Sequence, residues 1–143
     1  MSIKFVSRSV EETFDLGKKF ASGEIIDISE IKVFMLKGEL GSGKTSFVRG
    51  FSSFFGLEDL VSSPSFTVIN EYVNKNAKIA HLDFYRIKSP EEIEEIGFYE
   101  LIDNFDFVFI EWPEKIENKL KNASVLNFYY SESEGERIIE VEG

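Results

Sequence analysis

Eight consecutive residues, Gly38-Glu39-Leu40-Gly41-Ser42-Gly43-Lys44-Thr45, have the types and spacing to hold a polyphosphate. Phosphate oxygens are cradled by inward-turned backbone N–H groups, and side chains would block that approach. Glycines at 38, 41 and 43 permit the required turns. Lys44 can reach the β- and γ-phosphates, and the Thr45 hydroxyl can ligate Mg²⁺. A helix opening around Thr45 and Ser46 adds N–H donors and a partial positive charge. The expected nucleotide-holding set is therefore Gly38, Glu39, Leu40, Gly41, Ser42, Gly43, Lys44, Thr45 and Ser46. With glycine at ~7% of residues, a random chain of this length matches the pattern well under about one time in a hundred.

Such a loop works only between a strand and a helix. The apolar run Val33-Phe34-Met35-Leu36 precedes it and reads as a buried strand. Residues 46–55 follow, with Phe47, Phe51, Phe54 and Phe55 at helical spacing and Gly56 placed to end the helix. A second apolar run, Phe107-Val108-Phe109-Ile110, reads as another buried strand and ends in Glu111-Trp112-Pro113. Ligands of open α/β sheets sit beyond the carboxyl ends of strands. If the two strands are neighbours, Glu111 stands level with the phosphate loop. An acidic group is needed there to support Mg²⁺, a place more often filled by Asp. Glu111 could otherwise be a helix-start acid, and Trp112 either packs in the core or serves the site.

The rest of the chain supplies framework. Lys4-Phe5-Val6 suits a short edge strand, and Ser9-Val10-Glu11-Glu12 has the form of a capping box opening a helix that Gly23 ends. Val10, Phe14, Gly17 and Ala21 fall on one face of that helix; Glu12 and Thr13 read as ordinary first-turn chemistry. The hydroxyl-rich stretch 62–67 leads into a strand over 68–73. Asn74-Lys75-Asn76 is a turn, and residues 78–85 form the returning strand of an antiparallel hairpin. Strand alternation puts His81, Asp83 and Tyr85 on one face, with Ala80, Leu82 and Phe84 on the other. His81 reads first as structural. Asp83 reads equally as a solvated strand residue or as a functional acid, since Asp is disfavoured in strands. Ser89-Pro90-Glu91-Glu92 starts a helix ended by Gly97, and a second short helix follows over 98–102. A helix over 113–120 and a terminal hairpin, 124–130 with 137–141, complete the chain; the hairpin reads as sheet extension without chemistry. The fold expected is α/β: a P-loop NTPase-like three-layer sandwich in one domain over 1–143, its mixed central sheet covered by helices on both faces.

Composition bounds the function. The 143 residues carry 43% apolar side chains and 15 Phe, enough for a packed core. No apolar run can span a membrane, and the first residues lack the apolar stretch of a secretory leader. The absence of Cys excludes disulfides and fits a cytoplasmic setting. A net charge of -10 argues against a strong grip on free nucleic acid.

The order of these stretches resembles a known family. The phosphate loop, Ser63-Pro64-Ser65-Phe66-Thr67, His81-Leu82-Asp83-Phe84-Tyr85-Arg86, Glu100-Leu101 and Ile110-Glu111-Trp112-Pro113-Glu114 are similar to TsaE, the small bacterial ATPase of tRNA threonylcarbamoyladenosine biosynthesis. The loop alone is widely shared; the H-x-D-x-Y-R block with E-W-P downstream is far more specific. The resemblance covers about residues 9 to 115. Ser65 stands where the family usually has Thr, and the terminal hairpin carries no family signature. The resemblance implies ATP and Mg²⁺ as cofactors and hydrolysis in the service of TsaB and TsaD. It implies tRNA met only through that complex, and a monomer when alone. It also implies that Asp83 and Glu111 are active-site acids acting with Lys44. The expected division has Glu111 and Thr45 supporting Mg²⁺, and Asp83 orienting the attacking water. Three other classes share the loop: a small kinase, a GTPase switch and a nucleotide-dependent binding module. The first lacks an arginine-rich lid here. The second lacks its guanine reader, since Asn74-Lys75-Asn76-Ala77 misses the Asp of N-K-x-D.

Overall fold

A computed structural model describes residues 2–39, 41–61, 69–116, 120 and 122–142. The elements run in the order β1 (Ser2–Ser7), α1 (Val10–Ser22), β2 (Val33–Lys37), α2 (Lys44–Ser53), a 3-10 turn (Glu58–Leu60), β3 (Ile69–Val73), β4 (Lys78–Asp83), α3 (Pro90–Glu95), α4 (Phe98–Asp103), β5 (Phe107–Glu111), β6 (Ala123–Tyr130) and β7 (Arg137–Glu142). All seven strands join one sheet in the order β1-β7-β6-β2-β5-β4-β3. β6, β2, β5 and β4 are mutually parallel, and the antiparallel pairs β1/β7, β6/β7 and β3/β4 flank them.

Side-chain alternation splits the core into two layers. Phe34, Leu36, Ile79, Phe109 and Leu126 face α1 and α2, where Phe20, Phe47 and Phe51 pack. Val33, Met35, Ala80, Leu82, Val108 and Ile110 face α3 and α4, meeting Ile93 and Phe98. Helices therefore cover both faces of a mixed sheet, as the sequence predicts. Ala80, Leu82 and Phe84 lie in the α3/α4 layer, which leaves His81 and Asp83 on the α1/α2 side. That is the side occupied by the phosphate-loop helix.

Two glycines let α1 and α2 touch backbone to backbone. A Cβ on Gly17 would lie 2.1 Å from the Phe47 carbonyl oxygen, and one on Gly50 would lie 1.8 Å from that of Phe14. Any side chain at either place forces the helices apart. Both helices stop at a left-handed glycine, Gly23 and Gly56. At α2 the Leu57 N–H reaches the Ser52 carbonyl and the Gly56 N–H that of Ser53, the pattern of a Schellman cap. α1 begins at Ser9, whose hydroxyl accepts from Glu12 N–H at 3.0 Å, while the Glu12 carboxylate accepts from Arg8 N–H at 3.1 Å.

Three expectations are corrected. The buried face of α1 is Thr13, Gly17, Phe20 and Ala21; Val10, the first residue of the helix, is 64% exposed. Phe54 is 48% exposed, because α2 ends at Ser53 and Phe54 is its C-cap rather than part of its buried face. No helix forms over Pro113–Ile116, which closes as a single turn from Ile116 N–H to the Pro113 carbonyl. Leu40, the stretch 62–67 with Ser65, the predicted strand start at Val68, and residues 117–119 lie outside the described residues. Among the described residues no helix is long and apolar enough to cross a membrane.

Candidate active site

β2, β5 and β4 run parallel and end together. Leu36 is level with Glu111, and Glu111 with Asp83, so both acids stand beside the loop that leaves β2. The loop keeps the geometry its glycines allow. Gly38, Gly41 and Gly43 have φ of 151°, 79° and 109°. A Cβ on Gly38 would meet the Phe128 carbonyl oxygen at 2.7 Å, and one on Gly41 the Tyr130 hydroxyl at 2.9 Å. Gly38 thus needs glycine twice over, for its φ and for the close approach of the β6 backbone, whereas Gly41 needs it for the turn.

Lys44 is buried at the start of α2. Its Nζ donates to the Gly38 carbonyl at 2.6 Å and lies 3.4 Å from Glu111 Oε1. Glu111 is itself buried and accepts from His81 Nε2 at 2.7 Å through Oε2. The His81 Nδ1 is 2.9 Å from the Tyr72 hydroxyl. A continuous polar chain therefore runs from β3 through β4 and β5 to α2. Burial pushes the Glu111 carboxyl up, but the His81 hydrogen bond and the Lys44 ammonium outweigh it and hold the group below the usual glutamate range.

Asp83 differs in every respect. It is half-buried, and its Oδ1 accepts the Tyr85 N–H at 2.8 Å in an Asx turn. Burial raises its pKa; the Tyr85 N–H lowers it in part, and the Glu111 carboxylate pushes it up again. Tyr85 and Trp112 flank the strand ends as a ring pair with centroids 5.0 Å apart, and Trp112 has a left-handed φ of 58°. Trp112 is 38% exposed, so it does not pack in the core. Its ring instead lies 5.4 Å from Lys44 Nζ.

A cavity of about 300 Å³ opens over the loop. Gly41, Gly43, Lys44, Thr45, Ser46 and Glu111 line it together with Arg8, Ser9, Val10, Thr13, Gly135 and Arg137. Three cations, Arg8, Lys44 and Arg137, thus face one cavity in a chain of net charge -10. The terminal hairpin, read from sequence as sheet extension, turns out to wall this cavity. Arg137 Nε and Nη2 donate to the Gly41 carbonyl at 3.4 and 3.3 Å, and its guanidinium stacks over the Tyr130 ring at 4.5 Å. Thr13 also proves to be more than a first-turn residue: it is buried against Ser7 at 2.6 Å, beside Gly43. Sequence offered no signal for Arg137, because its contact spans ninety-six positions. Asn74 caps the β3–β4 turn through Asn76 N–H and Ala77 N–H, at the opposite end of β4 from Asp83. It cannot read a base at this site.

Known proteins share this chain's sequence pattern and fold. The sequence profile of the family "Threonylcarbamoyl adenosine biosynthesis protein TsaE" matches residues 7–139. The chain is 40% identical over 113 residues to the tRNA threonylcarbamoyladenosine biosynthesis protein TsaE of Rickettsia conorii, covering 78% of this chain and 62% of that protein. It is 37% identical over 112 residues to the Haemophilus influenzae protein of the same name, covering 77% of this chain and 70% of that one. The crystal structure of Bacillus subtilis YdiB superposes on 99% of this chain and 84% of its own with a TM-score of 0.73, at 26% identity. The chain belongs to the TsaE family of tRNA threonylcarbamoyladenosine biosynthesis proteins.

Proposed function

We propose that the chain binds and hydrolyses ATP with Mg²⁺, serving tRNA threonylcarbamoyladenosine formation together with TsaB and TsaD. The observation that carries this reading is the convergence of Lys44, Thr45 and Glu111 on one cavity beneath a left-handed glycine loop. The residues fit a nucleotide. Ser42 Oγ is fully buried with no hydrogen-bond partner among the described residues, as expected of a loop that completes its polar contacts with a ligand. The three cations suit an anion of several charges. They also fit Mg²⁺. Among the described residues no cluster of three or more acidic, His or Cys side chains forms a cage for a metal. Mg²⁺ bound through phosphates needs only one or two protein oxygens, here Thr45 and Glu111.

In this reading the backbone N–H groups of residues 41–46 hold the phosphates, and Lys44 leaves the Gly38 carbonyl and Glu111 to meet the γ-phosphate. Bound Mg²⁺ supplies neutralisation of charge developing on the phosphates. Asp83, half-exposed and free of an ion pair among the described residues, orients the attacking water. The net charge of -10 leaves tRNA to be held by the partners. A phosphate-release assay with ATP and GTP, with and without TsaB and TsaD, tests the reading. Mg²⁺-dependent release that prefers ATP and rises with the partners is expected. Transfer to a small acceptor, equal use of GTP, or tight tRNA binding by the chain alone at physiological salt would overturn it.

A further inference from the structure

We infer that His81 is the positioning residue of this site, held by Tyr72 and fixing the orientation of Glu111. It rests on the reading of Glu111 as the acid on the magnesium side. The imidazole is fully buried between two partners on adjacent strands. A carboxylate oxygen 2.7 Å away demands a hydrogen on Nε2. The Tyr72 hydroxyl at 2.9 Å occupies Nδ1, so both ring nitrogens are spoken for and the ring cannot flip without losing both bonds. Phe109 packs edge-on against the ring, with centroids 6.3 Å apart. Glu111 is thereby pinned through Oε2, and Oε1 is the oxygen turned to Lys44 and the loop. An unpinned Glu111 has rotamers that turn both oxygens away from the loop, and a carboxylate ligand loses affinity when its outer partner is removed. Tyr72 and His81 therefore act on the nucleotide site without touching it.

The chain has a single histidine, so its imidazole gives one set of nitrogen signals. Long-range ¹H–¹⁵N spectra of the uniformly ¹⁵N-labelled chain should show Nε2 carrying hydrogen, and the Nδ1 signal should shift in Tyr72→Phe. An Nε2 without hydrogen, or an Nδ1 indifferent to Tyr72→Phe, would overturn the assignment whether or not ATP is hydrolysed. In the phosphate-release assay with partners, His81→Phe should raise the Mg²⁺ concentration for half-maximal rate by ~10–100-fold. His81→Gln, which keeps an N–H donor, should recover most of that loss. Parent-like Mg²⁺ dependence in a folded His81→Phe, or equal loss in both variants at parent-like melting temperature, would also overturn it. If the parent chain itself releases no phosphate, the ATPase reading fails, and the spectra alone decide the role of His81.

Discussion

Asp83 and Glu111 occupy matching places at the ends of adjacent strands, yet their surroundings push them apart. Glu111 is buried, bonded at one oxygen to His81 and paired at the other with Lys44, and it titrates below its usual range. Among the described residues Asp83 holds only a backbone N–H in its own turn, and burial raises its pKa. Two carboxylates with pKa values driven in opposite directions are how a site separates a fixed charge from a group that exchanges protons or water. The rigid, counter-charged Glu111 suits a cation; the looser Asp83 suits a water molecule. The difference comes from neighbours on other strands rather than from residue type.

The contrast can be broken at each member. Asp83→Asn keeps the Asx turn but removes the charge that, in the proposed function, polarises water. It should lower turnover by ~10²–10⁴-fold with ATP binding nearly intact, read by single-turnover assays beside equilibrium titration. Lys44→Ala should weaken ATP binding by ~10²–10³-fold, because the phosphates lose a cation and Glu111 loses its buried counter-charge. Calorimetry giving parent-like affinity would remove Lys44 from the site. Glu111→Gln should raise the Mg²⁺ requirement by about 10–100-fold, since a neutral amide is a poorer partner for a hard cation. If Asp83→Asn instead loses the Mg²⁺ dependence, the site stands and the two roles exchange.

The smallest effect is on stability, and its sign separates the acids most cleanly. Glu111 has a lowered folded pKa, so its contribution is present above its unfolded value and lost as pH falls through the folded one. Asp83 has a raised folded pKa, so its contribution is present below its unfolded value and lost as pH rises through the folded one. At neutral pH, Asp83→Asn should therefore raise the melting temperature slightly and Glu111→Gln should lower it. Melting curves from neutral pH down through ~4, the ordinary carboxylate range, and on below it check this; shifts of the same sign in both variants would erase the distinction.

Much of the framework was legible because it depends on neighbours in sequence. Ser9 and Ser89 cap helices through residues three places on, and Gly23 and Gly97 end helical segments in left-handed turns. The apolar runs 33–36 and 107–110 read as buried strands, and the structure supplies the β2/β5 pairing that the alignment of Glu111 with the loop requires. The expected helix over 113–120 failed in its described part because Trp112 takes a left-handed conformation that redirects the chain into a turn at Pro113. Nothing in the local residue types demands that conformation.

Sequence by itself determined the phosphate loop and the strand and helix on either side of it, since each rests on residue chemistry at short spacing. It offered Glu111 from its place at a strand end, and it left Asp83 evenly balanced until the family resemblance was added. Tertiary structure alone decided how those acids differ. His81 became a support for Glu111 only when β4 settled beside β5, and Tyr72 joined it only across the β3–β4 pairing. Arg137 met Gly41 only because β6 adds to the other side of β2 and carries β7 with it. Long-range strand order sets which side chains share a desolvated space, and that sharing fixes their hydrogen bonds and their charge.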